Sequence, residues 1–198
     1  VVATLSTRGQ ELFINEIHYD NAGSDAGEAI EIVGQAGLNL GAYELVFYNG
    51  NNGREYGSIG LTGTLPNEAD TGYGAAEFPF EGIQNGAPDG VALVNTSTAT
   101  VLQFLSYEGV FTATGGAAAG LESQDIGVRE SSSTPANASL QLIGTGNRYE
   151  DFTWRLVSES SFGSINAGQA LEGEPSATGI VLTLSPSRLV ESAGGSAE

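Results

Sequence analysis

Cysteine, lysine and methionine are all absent from the 198 residues. Without Cys there is no disulfide, no thiolate metal site and no Cys nucleophile. Without Lys, the 6 basic residues are all Arg; they stand against 24 acidic residues, and the formal net charge is −18. A chain this negative is not expected to bind nucleic acid by itself, because holding phosphates requires cations that displace counterions. Docking on anionic lipid is disfavoured for the same reason. No apolar run approaches the roughly 18 residues of a membrane span, so no membrane insertion is expected. Position 1 is Val. With no Met at the start, the chain reads as a processed or excised piece, and no signal peptide is visible in it.

What is present points to β structure. Apolar residues make up 40% of the chain, enough for a core, and 29 Gly supply many turns. Short runs rich in branched and aromatic residues follow one another between turn signals. The first covers residues 12–19. In residues 28–33, Glu28, Ile30 and Ile32 share one face while Ala29, Glu31 and Val33 share the other. YELVFY at 43–48 leads into NGNNG at 49–53, a hairpin signal because Asn and Gly accept positive φ. Residues 55–61 are the expected return strand. After a loop at 62–74 comes a short strand at 76–80, which Pro79 places at an edge or a strand end. QNGAPDG at 84–90 is dense turn chemistry. Residues 90–95 and 100–107 read as a further hairpin. Residues 109–138 form a long excursion with little strand character, either functional or held by its own contacts. Residues 139–143 and 150–156 are the last strands, with Trp154 as a core residue. The aromatic residues Tyr43, Phe47, Tyr48, Phe104, Tyr107 and Phe111 read mostly as core by alternation. Many short strands at regular spacing predict an all-β fold, a β-sandwich.

Four regions are expected. Residues 1–10 are an N-terminal extension, 11–170 the sandwich domain and 171–179 a polar linker. Residues 180–198 open a further β module resembling a Calx-beta or immunoglobulin-like unit, incomplete and too short to fold alone.

The candidate chemistry gathers in the loop after the first strand, where Asp20, Asn21, Asp25 and Glu28 fall within nine positions. Crowded carboxylates repel one another, so water, a cation or backbone N–H groups must offset them. Their hard oxygens suit Ca²⁺, with Gly23 and Gly27 letting the backbone bend inward, although the spacing is not that of an EF-hand loop. The alternative is a turn in which Asp20 and Asn21 bond local N–H groups. Asp89 and Asp125 are weaker metal candidates, and a plain Asx-turn suits each of them better. His18 has no second His or Cys beside it, which favours a packed or surface side chain over a ligand or general base. Glu108, Glu150 and Asp151 could be paired as glycosidase carboxylates, but acidic residues are too abundant for such pairs to be informative. There is no G-x-S-x-G match and no phosphate loop. The sequons at Asn95 and Asn137 read as chance matches.

Several separated motifs then converge on a family. INEIHYDN (14–21), GEAIEI (27–32), ELVFYNGNNG (44–53), GIQNGAPDGVALV (82–94), QFLSYEG (103–109), SLQL (139–142) and YEDFTW (149–154) occur in the order found in bacterial lamin-tail domains. The chain resembles in particular the version near the N-terminus of secreted bacterial endonuclease/exonuclease/phosphatase-family proteins. It departs from the family's pattern at Ala29, where an aromatic residue is frequent. The resemblance covers about residues 11–170 and implies an immunoglobulin-like β-sandwich with a non-catalytic accessory role. The expected setting is extracellular or on the bacterial cell surface. Expected partners are other domains of the same protein or neighbouring subunits, and the only cofactor considered is Ca²⁺. No enzyme activity is expected of this chain; any nuclease or phosphodiesterase chemistry of a parent protein would lie beyond Glu198. Two other roles fit the sequence. One is a structural subunit that adds its strand at 180–184 to a neighbouring copy. The other is a calcium-dependent glycan-binding module.

Overall fold

The computed structural model describes residues 12–172. The expected N-terminal extension, most of the linker and the strand at 180–184 lie outside the described residues. Within them the chain forms eleven strands: β1 (Leu12–His18), β2 (Ala29–Gln35), β3 (Tyr43–Asn49), β4 (Arg54–Gly60), β5 (Tyr73–Pro79), β6 (Asp89–Asn95), β7 (Thr100–Tyr107), β8 (Gln124–Asp125), β9 (Ser139–Gly146), β10 (Phe152–Val157) and β11 (Gln169–Leu171). Helical structure among the described residues is confined to three short 3-10 turns, at Leu40–Ala42, Glu68–Asp70 and Tyr149–Asp151.

The strands build two sheets, the β-sandwich that the spacing of the runs predicts. One sheet runs β10-β9-β1-β2-β5, and β11 lies parallel to β9 on the edge that β1 leaves free. The other runs β4-β3-β6-β7-β8. The hairpin at NGNNG forms as expected: Gly53 takes a positive φ of 68° and its N–H returns to the Asn49 carbonyl at 2.8 Å. Pro79 ends β5, which among the described residues is an edge strand paired only with β2. β8 and β11, of two and three residues, are too short for periodicity to reveal. Leu171, expected as the first linker residue, belongs to β11 and is buried.

Alternation along the strands builds two cores. Leu45 and Phe47 of β3, Val91 and Leu93 of β6 and Leu105 of β7 face the opposite sheet and join Ile14, Ile30, Leu140 and Trp154 there. The residues between them point the other way. Val46, Tyr48, Ala92, Val94 and Phe104 form a second cluster with Phe111, Ala113 and Ala118. The last three come from the 109–138 excursion, which therefore serves as a lid over one sheet rather than as a free loop. Trp154 is in the main core, as expected, and its indole N–H donates to the Tyr149 hydroxyl at 3.0 Å.

A bulge at Asn15 sets the outer face of the first sheet. The β1–β2 register shifts between Ile14 and Glu16. The extra residue lets Ile14 and Ile17, three apart, both face the core opposite Ile32 and Ile30. Glu16 then lies directly across from Glu31 on the outer face. The register extends this row through Arg155 (β10), Gln141 (β9), Glu16 (β1), Glu31 (β2) and Glu77 (β5). Its ends are exposed, but Gln141, Glu16 and Glu31 are almost completely buried.

Candidate functional site

The loops after β1, β5 and β7 meet the segment before β9 at one end of the sandwich. Glu130, from the 109–138 excursion, is at their centre and is fully buried. One carboxylate oxygen lies 2.7 Å from His18 Nδ1. The other accepts the backbone N–H groups of Tyr19 at 2.6 Å and Asp20 at 3.0 Å. Tyr19 answers through its hydroxyl, which accepts the Glu130 N–H at 2.9 Å. Its ring stacks on Tyr107 with centroids 3.8 Å apart and planes 12° from parallel. The Tyr107 hydroxyl in turn donates to the Gln84 carbonyl. A strand end, a loop and two tyrosines are thereby locked to one carboxylate.

His18 faces an acceptor on each side of its ring. Nε2 faces the Ala26 carbonyl at 3.2 Å, and Nδ1 faces a carboxylate. With Glu130 ionised both partners are acceptors, and the doubly protonated ring satisfies both. Burial opposes that charge, but the hydrogen bond and the charge of Glu130 outweigh it and raise the pKa above 6.5. Of the packed and surface positions open to it, His18 takes the packed one, and it has a partner that no local spacing announces.

The residues proposed as metal ligands are largely engaged by donors from the protein itself. Asn21 is buried; its amide donates to the carbonyls of Ala22 and Ser24, and its oxygen accepts the Ala26 N–H at 2.9 Å. Asp25 is exposed and accepts from the Asn21 N–H and, at 3.3 Å, from the Asn85 amide. Glu28 turns away to accept the Gly82 N–H at 2.6 Å. Asp89 bridges two turns by accepting from Gly50 at 2.9 Å and Gly86 at 2.7 Å. Asp125 closes an Asx-turn on the Gly127 N–H at 2.9 Å. Asp20 is partly buried, with Asp25, Glu130 and Glu108 among its electrostatic neighbours. Burial first, and then those like charges, raise its pKa. Burial likewise raises Glu28 and Asp89, against the backbone donors that favour their ionised forms. Among the described residues, no three His, Cys, Asp or Glu side chains converge on a point where they could share a metal ion.

A second polar centre, not anticipated from the sequence, occupies the outer face of the first sheet. Glu16 accepts four hydrogen bonds: from the Ser139 hydroxyl at 2.6 Å, the Gln141 amide at 3.2 Å, and the N–H and hydroxyl of Ser161 at 2.9 and 2.8 Å. Glu31 accepts two, from the Asn15 amide at 2.9 Å and the Gly163 N–H at 2.7 Å. Glu68 accepts from Ala75 and from Ile165 at 2.7 and 2.9 Å. Three carboxylates therefore fasten the 161–165 segment across the sheet. Burial pushes Glu31 up to about 8; the Asn15 hydrogen bond opposes this, and the neighbouring Glu16 charge adds to it. The signal for this centre was in the alternation itself, which sets Glu31 apart from Ile30 and Ile32 yet leaves it between two apolar neighbours.

No family model matches the chain, and no curated protein or solved structure matches it either.

Proposed function

We propose that this chain is a non-catalytic interaction domain of a larger secreted protein, of the lamin-tail kind its motifs resemble. Its role would be to position or pack neighbouring domains or subunits. The observation that carries this reading is the state of the carboxylates at the loop end. Asp25, Glu28, Asp89, Asp125 and Glu130 all accept hydrogen bonds from within the fold. A hydrolytic centre needs carboxylates free to hold a metal or to move a proton at the substrate. Here they hold loops in place, which suits a rigid recognition or packing module. The surplus of acid over base supports the same reading, since it disfavours a phosphodiester substrate.

The direct test is to incubate the full chain with supercoiled DNA and with a chromogenic phosphodiester, in Mg²⁺, Mn²⁺ or Ca²⁺. No turnover above the metal-only control is expected. Cleavage that disappears on substituting Asp20→Asn or Glu130→Gln would overturn the proposal.

A further inference from the structure

Two strand edges lie open on one side of the sandwich. Among the described residues β10 ends its sheet and pairs with β9 alone. In the other sheet β7 is eight residues long, but β8 covers its outer edge only at Leu105 and Ser106. Among the described residues no strand pairs with that edge over residues 100–104. A groove runs beside it, lined by Val101, Leu102, Phe104, Leu121, Glu122 and Tyr149. Leu102 and Leu121 are 40% and 44% exposed, unusual for large apolar side chains in this fold. Gln103 also lines the groove: its oxygen accepts the Ile14 N–H, while its buried Nε2 has no partner. A β edge flanked by apolar side chains is a template for another strand; the β6–β7 register shift leaves Leu102 bulged here, which bends the edge without covering it.

We propose that residues 180–184 of the same molecule add to the β7 edge as a further strand. The sequence of that segment, IVLTL, is uncharged and rich in β-branched and apolar residues. From 175 to 190 the chain carries no acidic residue and one Arg, Arg188, although its overall charge is −18. The groove presents Glu122 and Glu150, so the two surfaces are complementary in charge as well as in polarity. The chain also leaves the described fold at a suitable place. The Glu172 N–H donates to the Gly146 carbonyl at 2.9 Å. Tyr149, on the wall of the groove, is three residues from Gly146 and so within about 11 Å of it. Residues 173–179 can span up to about 25 Å when extended. Tethering over that length gives an effective concentration on the order of millimolar, well above that of a second copy in dilute solution. Main-chain bonds to β7 would supply affinity, and the apolar side chains of 180, 182 and 184 would meet Leu102 and Leu121. This inference goes beyond the accessory role proposed above and does not rest on it.

Hydrogen exchange on the full chain tests the docking, comparing wild type with the double variant Val181→Pro, Thr183→Pro. Both substitutions lie outside residues 12–172, so the sandwich itself is untouched. Backbone amides of 101–104 should exchange at least tenfold more slowly in the wild type, with the remaining strands unchanged and the protein monomeric. Equal exchange at 101–104 in the two chains overturns the proposal. So does protection that grows with protein concentration, which would place a second copy on the edge. Because the chain has no Cys, spin labels attached after Leu102→Cys and Leu182→Cys report the same contact without breaking a strand. A short, narrow intramolecular distance is expected, and a broad, long distribution overturns the docking.

Discussion

Two regions bury carboxylates in this molecule, and they solve the same problem differently. At the loop end, Glu130 is offset by a cation, His18, and by the two N–H groups of Tyr19 and Asp20. On the outer face, Glu16 and Glu31 sit directly opposite each other and no cation reaches either among the hydrogen bonds they accept. Like charges facing across a strand pair are ordinarily destabilising. The outer face manages them without a cation: neutral donors serve both, four for Glu16 and two for Glu31, and Glu31 keeps its own proton as pH rises toward about 8. A chain with no Lys and few Arg cannot neutralise every buried acid by ion pairing. It instead recruits serine hydroxyls, side-chain amides and the backbone of a covering segment. The cost falls unevenly. Glu31, with the fewer donors, is pushed up to about 8, whereas at the loop end it is the cation that shifts upward.

The largest effect that would break this contrast is expected at Glu130. Glu130→Ala leaves a buried imidazolium and two buried N–H groups without their acceptor, and should cost about 3–5 kcal/mol. Glu130→Gln keeps an oxygen for the Tyr19 and Asp20 N–H groups but presents no charge to His18, so its loss should be smaller. Urea unfolding measures both. The single His makes the second consequence easy to read by NMR: its pKa should fall in Glu130→Gln. A His18 titration unchanged by that substitution would show that Glu130 does not hold the ring charged.

The outer face should reveal itself through pH. The folded protein holds the Glu31 proton more tightly than the unfolded chain does. Stability from this group is therefore fully present below the unfolded value of 4.5 and is lost as pH rises through about 8, by up to about 5 kcal/mol. His18 acts in the same direction: its contribution is full below 6.5 and is lost as pH rises through its raised folded value. The protein should thus be more stable near pH 5 than near pH 8. Glu31→Gln should flatten most of that slope and leave the part above 6.5. Thermal unfolding across this range decides the matter, and an unchanged slope in Glu31→Gln would remove Glu31 from the account.

How far each region could be read from the chain follows from the kind of signal it leaves. Strand alternation is local, so the hairpin at 49–53 and the edge strand ending at Pro79 were legible, whereas the burial of β3 and β6 on both faces depends on the distant 109–138 segment. The Asx-turn at Asp125 was legible too, because such a turn closes within two residues. The Glu16–Glu31 pair was half legible: alternation set Glu31 on its own face, but only the bulge at Asn15 brings Glu16 opposite it, and a bulge leaves no periodic trace. The His18–Glu130 pair was not legible. Its members are 112 positions apart, and Glu130 stands in a segment without strand or helix pattern.

The acidic loop itself offers the finest discrimination between the two ways of offsetting charge. Asp25 and Glu28 accept N–H groups of Asn21 and Gly82, and Asp25 is exposed. If those donors are the whole of their role, the double variant Asp25→Asn, Glu28→Gln should lower stability by only about 1 kcal/mol. The loss should be the same in calcium and in chelator, because the amide oxygens still accept from both N–H groups. A cation at the loop would instead stabilise the wild type by mass action in proportion to its occupancy. Thermal melts of both chains across a calcium titration separate the two. A wild-type midpoint that climbs with calcium while the variant's stays flat would mean that this end of the sandwich recruits its missing cation from solution.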